Sequence, residues 1–274
     1  MDNARHAGRA VVGVTANRHL YDGVHRDWLR RRYIEALERH ASVECVILPT
    51  IDGDLPWDAT VRKFREVMQR LDGLVLTGDE SNLDPGIFDE QQRSWSRADD
   101  DVVPGERDRP RDRLSCAALS VAIELEMPIL GICRGLQEMS VHRNGTLHAD
   151  LSAVSQSIMH SEKPNVPRDE QYLPVHTIQV VAGGLLSSIV GEHALHVNSL
   201  HNQGITTVAS GVRPEAVAED GVIEALSYTT QTAFQLGVQW HPEWYAATDA
   251  TSRKIFSAFG SACVAYRSTE QLSR

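Results

Sequence analysis

The sequence predicts an α/β fold: a mostly parallel sheet with helices on both faces, followed by a strand-rich C-terminal half. Three observations carry this. Through the first half, apolar runs of strand length alternate with stretches of helical periodicity. Those runs are apolar throughout, which is the pattern of strands covered on two faces, and parallel neighbours need the long crossovers that the helical stretches supply. After residue 173 the helical stretches give way to closely spaced short strand-like runs.

The elements follow in order. AVVGVT (10–15) reads as a strand, and WLRRRYIEALERH (28–40) as a helix with Leu29, Tyr33, Ala36 and Leu37 on one face. VECVILP (43–49), a helix carrying Val61, Phe64, Val67, Met68 and Leu71, the strand GLVLTG (73–78), a helix carrying Leu114, Ala118, Val121 and Leu125, and PILGI (128–132) continue the alternation. Beyond it lie VHTIQVV, LHVNS, GVIEALSY and FQLGVQW, then a final helix near 251–266 with Ile255, Phe259 and Cys263 in register. Two long polar stretches, 79–111 and 152–171, read as surface lids or functional loops. The run ERDRPRDR (106–113) reads as a solvated face and helix start, an anion site being the other reading.

With 274 residues and 42% hydrophobic content the chain can bury a full core, and a single domain over 1–274, with its core at about 10–266, is expected. Asp and Glu number 37 against 27 Lys and Arg, a formal charge of -10 that disfavours nucleic acid or an anionic membrane surface as partner. A small-molecule partner fits better, and a homo-oligomer is compatible with the composition. No stretch approaches the roughly 20 apolar residues of a membrane span, and the opening MDNARHAGRA has no apolar signal core, so a cytoplasmic protein is expected. Seven histidines, His142, His148, His160, His176, His193, His196 and His201, have spacings that match no compact ligand set, so no metal is expected. Four cysteines form no C-x-x-C pair; Cys45, Cys116 and Cys263 lie in apolar or helical patterns and read as buried small hydrophobes.

Cys133 has a different setting. In GICRG it sits between a strand and a helical pattern, with glycines two positions away on each side. This is the spacing of a nucleophile elbow, a tight turn that exposes its side chain at the C-terminal end of a strand. A helix N-terminus there favours the thiolate. The spacing alone also accommodates a cysteine packed at a glycine-rich turn. In GVQWHPEW, Pro242 biases His241 to an extended conformation that puts His241 and Glu243 on one side, imidazole beside carboxylate. By itself a His-x-Glu pair equally describes a capped loop histidine; beside an elbow cysteine it supplies base and orienting carboxylate.

GICRG followed about a hundred residues later by WHPEW resembles a class I glutamine amidotransferase domain, across nearly the whole chain. VVGVTANR, LTGDESNLDP, NGTLHADL, YLPVHTI, VNSLHNQGI and GVQWHPEW narrow the resemblance to the γ-glutamyl-γ-aminobutyrate hydrolases of peptidase family C26. The resemblance implies a flavodoxin-like α/β domain that needs no cofactor and cleaves a γ-glutamyl amide. It makes Cys133 the nucleophile, His241 the base and Glu243 the orienting carboxylate. The oxyanion donors become the Arg134 N–H and a backbone N–H of the Gly78-Asp79 turn, for which an ordinary strand-ending turn is the other reading. Gln137, His201 and Gln203 fall near the substrate, although a structural role for His201 is equally compatible. Asp79 and Glu80 depart from the family pattern, and their charge suggests a preference for a leaving group with a free amine. Ser140 and Asn144 also depart, although Asn144-Gly145 still suits a turn of positive φ. A glutaminase subunit feeding a separate synthase would use the same triad, but the flanking segments argue against it. The intact triad argues against a catalytically silent binding protein.

Overall fold

The computed structural model describes residues 8–53, 55–84, 107–153, 157–230 and 232–273. The chain opens with β1 (Val11–Thr15), whose Val12 and Val14 are fully buried. A hairpin of β2 (Asn17–Tyr21) and β3 (Val24–Trp28) stands off the main sheet, turned by Asp22 and Gly23 at φ 52° and 72°. Positive φ at both turn residues is what a two-residue hairpin requires, and an Asp-Gly pair tolerates it. Helix α1 (Arg31–Ala36) runs into a π-helical turn at Leu37–Ala41, burying Tyr33, Ala36 and Leu37 as its spacing predicts. Then come β4 (Glu44–Leu48), α2 (Trp57–Met68), β5 (Gly73–Leu76), α3 (Arg109–Glu124), β6 (Ile129–Ile132) and α4 (Arg134–His142). The second half holds β7 (Thr146–His148), α5 (Arg168–Gln171), β8 (His176–Val180), α6 (Leu185–Val190), β9 (Ala194–Val197), β10 (Gly204–Thr207), β11 (Val212–Ala218), β12 (Ile223–Tyr228), β13 (Gln235–Val238) and the long α7 (Ala250–Ser273).

Among the described residues eleven strands share one sheet, whose main path runs β4-β1-β5-β6-β13-β12-β11-β8-β9. The first five are parallel; from β13 to β9 every pairing is antiparallel. The break falls where the sequence changes texture, because short connections permit only antiparallel return. Val12, Val14, Val75 and Ile132 face a core shared with α1, α6 and α7, while Leu74, Leu76 and Ile129 face one shared with α2, α3 and α4. The parallel part is thus covered on both faces.

Several expectations change. The α/β class stands, but β2, β3, β7, β10 and β11 are strands that the hydrophobic pattern did not mark. Cys45 is half-buried, unlike Cys116 and Cys263. Val67 lies on the exposed side of α2, which buries Thr60, Phe64 and Met68. The described part of the run, 107–113, does start a helix, but it turns inward after the exposed Arg107: Arg111, Asp112 and Arg113 are buried to within 1%. Of the two polar stretches, 85–106 and 154–156 lie outside the described residues. The predicted positive φ falls on Asn144, at 64°. Among the described residues no helix is long and apolar enough to cross a membrane.

Candidate active site

Strand β6 ends at Ile132 and α4 begins at Arg134, so one residue makes the turn. Cys133 has φ 53° and ψ -105°, a region that costs a side-chain-bearing residue about 1–3 kcal/mol. The surroundings enforce it. Cys133 N–H donates to Val238 O at 2.8 Å, and its carbonyl accepts from Leu136 N–H at 3.1 Å. The flanking glycines are required by close approach: a Cβ on Gly135 would collide with the Leu76 carbonyl, and one on Gly131 would lie 2.7 Å from Met139 Sδ. Without them α4 could not settle onto β5 and β6.

Strand β13 lies beside β6 in register, Ile132 opposite Val238, and delivers His241 next to Cys133. The peptide of His241 is clamped by Asn198, whose Oδ1 accepts its N–H at 2.8 Å and whose Nδ2 donates to its carbonyl at 3.2 Å. His241 Nδ1 is 2.8 Å from Glu243 Oε1, leaving Nε2 for the thiol. The route differs from the extended one expected: the chain turns after His241, with Trp244 N–H bonded back to His241 O at 3.4 Å. Burial works against a charged imidazole, yet the Glu243 carboxylate and the Cys133 sulfur outweigh it and hold His241 well above its ordinary range. An imidazolium backed by a carboxylate and facing the Cys133 sulfur is the state this favours.

Cys133 is 3% exposed, less open than an elbow predicts, because Tyr33, Gly78 and His241 crowd it. A Cβ on Gly78 would lie 2.7 Å from Tyr33 Oη, 2.8 Å from His241 Cε1 and 3.1 Å from Cys133 Cβ. Glycine is therefore what lets the turn approach the reacting groups. The Gly78 N–H, however, is taken: it donates to Tyr33 Oη at 2.9 Å. That corrects Gly78 as an oxyanion donor and leaves Asp79 N–H in that turn, with the Arg134 N–H in the first turn of α4, where amides have no helical acceptor.

A cavity of about 320 Å³ opens on Cys133, with Asp79, Glu80, Arg134, Gln137 and Gln203 in its walls. A larger one, about 600 Å³, is lined by Tyr172, Asn198 and His241 but not by Cys133, so of these two the smaller is the one that reaches the thiol. The polar groups expected to hold substrate are largely engaged already. Gln137 Nε2 donates to Gln203 O at 2.9 Å; Gln203 Oε1 accepts from Leu83 N–H at 2.7 Å and its Nε2 donates to Leu83 O at 3.2 Å. His201 uses Nδ1 on Gln203 O (2.9 Å) and Nε2 on Ser199 Oγ (3.1 Å). The side chains of His201 and Gln203 are engaged at both polar ends, whereas Gln137 has only its Nε2 committed.

Asp79 and Glu80 are likewise paired. Burial alone would raise Asp79, but hydrogen bonds from His19, on the unforeseen β2–β3 hairpin, and from Ser81 hold it far below the usual range. Glu80 Oε1 lies 2.6 Å from both Arg30 and Arg168. Their charge is offset on the spot, which removes the electrostatic ground for preferring a free amine.

Sequence reasoning missed the buried charges that brace this region. Arg134 Nη2 bonds Asp112 at 2.5 Å and its Nη1 bonds Glu138, which also accepts from Arg111 at 3.0 Å. Arg111 in turn donates to Thr77 O (2.8 Å) and Thr77 Oγ1 (2.9 Å), fixing the strand end before Gly78. The signal was an arginine-acid run at a helix start next to an arginine in the elbow. The histidine spacings also misled: His160, His176 and Glu224 come together, buried, with their ligand atoms within 4.8 Å of one another.

Comparison with known proteins fits this geometry. The Peptidase C26 family model matches residues 10–243. A γ-glutamyl-γ-aminobutyrate hydrolase of Escherichia coli, PuuD, is 37% identical over 254 residues, 92% of this chain and 93% of its own. A glutamine amidotransferase-like protein of Lactococcus lactis is 32% identical over 77% of the chain and 81% of its own. Among solved structures, a Thermoplasma acidophilum protein described as a GMP synthase subunit superposes with a TM-score of 0.59 at 17% identity, over 97% of this chain and all of its own, a likeness of fold. This chain belongs to the peptidase C26 family, cysteine-dependent hydrolases of amide bonds.

Proposed function

We propose that this chain hydrolyses the γ-amide of a γ-glutamyl amine, γ-glutamyl-γ-aminobutyrate or a close relative, through a thioester on Cys133. The observation that carries this is the buried His241–Glu243 pair, 2.8 Å apart, beside an elbow cysteine that opens on a small cavity. The thiolate attacks the γ-carbonyl carbon, and the tetrahedral oxyanion is met by the amides of Arg134 and Asp79. Collapse breaks the C–N bond as His241 gives its proton to the departing amine. Water, deprotonated by His241, then attacks the thioester, and the thiolate leaves as glutamate is released. Glu243 holds the ring's orientation and charge throughout.

The choice of acyl group rests on the relatives named above, and a place in polyamine breakdown, by way of putrescine, is part of the same proposal. Such a substrate is small and soluble, in keeping with work in the cytoplasm. The test is glutamate release from γ-glutamyl-γ-aminobutyrate, γ-glutamyl-putrescine and glutamine, with Cys133→Ala alongside. Cysteine-dependent release from a γ-glutamyl amine, with glutamine poor, is the expected result. Turnover of glutamine alone, or none until a second protein is added, would replace this reading with that of a glutaminase subunit.

A further inference from the structure

We propose that His160, His176 and Glu224 bind one divalent cation of the zinc class, a structural site separate from the thiol chemistry. Glu224 Oε1 is the focus. His176 Nε2 lies 3.3 Å from it and His160 Nδ1 3.6 Å. Ligands on a tetrahedral zinc, at about 2.0–2.1 Å each, are separated by about 3.3 Å, so the side chains stand close to the spacing an ion demands.

The hydrogen bonding points the same way. Glu224 is fully buried and His176 is 7% exposed, yet neither carboxylate oxygen and neither ring nitrogen has a hydrogen-bond partner. Buried polar atoms are rarely left so. His160 Nε2, by contrast, lies 2.8 Å from Asp220 Oδ2. A carboxylate there orients the ring as metal-ligating histidines are oriented; Nδ1, 3.6 Å from Glu224 Oε1, also meets Ser199 Oγ at 3.0 Å, a contact the ion would displace. His201 is a candidate fourth ligand. Its Nδ1 is committed to Gln203 O, and its Nε2, 3.7 Å from the same Glu224 oxygen, would exchange Ser199 Oγ, now at 3.1 Å, for the ion.

Charge supplies a third reason. Among the described residues only histidines lie within ion-pair distance of Glu224. The Arg111–Glu138–Arg134–Asp112 group balances two carboxylates with two guanidinium groups. Here Glu224 faces imidazoles and no guanidinium or ammonium among the described residues, and a divalent cation would offset its charge. Two imidazole nitrogens and a carboxylate oxygen suit zinc better than calcium or magnesium. A cavity of about 410 Å³ that touches His160 and His201 gives it access. The ion would tie β8 and β12 to the segment carrying His160, beside the 198–203 loop that walls the thiol's cavity.

The test measures metal, not turnover. The purified full chain, dialysed against Zn²⁺ and then freed of excess, is expected to hold one zinc per chain by mass spectrometry and to lose Tm on chelation. A His176→Phe/Glu224→Leu variant, whose apolar replacements leave no lone charge between them, is expected to hold none. Should that variant not fold, Co²⁺ substitution of the native chain reads the site directly: intense visible bands report tetrahedral nitrogen and oxygen ligands. Zinc well below one per chain, equal zinc in native chain and folded variant, or a weak octahedral Co²⁺ spectrum would each overturn the proposal. Absence of zinc would overturn the site and leave γ-glutamyl hydrolysis untouched as a separate question.

Discussion

His241 and His176 are both buried histidines beside a buried glutamate, and they are completed in opposite ways. His241 has one nitrogen bonded to Glu243, a peptide held by Asn198, and one ring edge kept for a sulfur. His176 touches Glu224 at 3.3 Å without a directed bond, and both nitrogens lack partners. On the proposed mechanism a proton moves at the first, and the surroundings fix the ring and leave it a single exchange partner. Nothing at the second has to move, and its Nε2 faces Glu224 Oε1. Burial plus a carboxylate therefore does not define a catalytic histidine; what matters is which valence the protein leaves open, and toward what.

The sharpest break between the two sites comes from Cys133→Ala. Glutamate release should fall by about 10⁴-fold or more, since removing a triad nucleophile leaves only binding and oxyanion contributions. Bound zinc per chain should not change. Glu243→Gln comes next, with a loss in kcat of roughly 10²–10⁴-fold. It should also move the alkaline limb of the pH–rate profile to lower pH, because Glu243 favours the protonated ring and its loss lets the imidazolium titrate earlier. The sign for stability is the same: a histidine raised on folding stabilises below its unfolded value of about 6.5, and that contribution fades as pH rises through the folded value. A profile that does not shift would mean that Glu243 does not set the charge of His241.

A third buried group sharpens the contrast, because there the protein supplies every charge itself. Arg134→Met leaves Asp112 and Glu138 with only Arg111 to face, and should cost about 3–5 kcal/mol in urea unfolding. Added zinc should not restore it. The smallest effect concerns the elbow. Cys133→Gly should be more stable than Cys133→Ala by about 1–3 kcal/mol, since glycine adopts φ 53° and ψ -105° without strain. Equal stabilities would show that the turn is not strained.

Much of this was legible in the sequence, for identifiable reasons. β1, β5 and β6 are apolar throughout because both faces are covered, and that pattern needs no knowledge of partners. GICRG was legible because both its glycines answer local collisions. The β2–β3 hairpin was not, since its residues are largely exposed and only Asp22-Gly23 marked it. Arg111 and Asp112 looked solvated because the carboxylate and guanidinium that neutralise them come from α4, and Gly78 looked like a donor because nothing local announces the Tyr33 hydroxyl. The His160–His176–Glu224 cluster escaped for the same reason: its members belong to segments that meet only through the antiparallel end of the sheet. Local pattern reports what a residue is, and pairing across the sheet decides whom it meets.

The register of β6 against β13 also sets a timetable. Cys133 N–H is fixed by a hydrogen bond to the Val238 carbonyl, so the residue that holds the elbow and the histidine that arms it arrive with the same late strand, about a hundred residues after the cysteine is made. Until that strand is seated between β6 and β12, the thiol has neither its contorted backbone nor its base. A nascent or partly folded chain would therefore carry an ordinary cysteine, and thiol reactivity would mark the completion of folding. A slowly accumulating, selectively labelled Cys133 during refolding would time the insertion of the central strand.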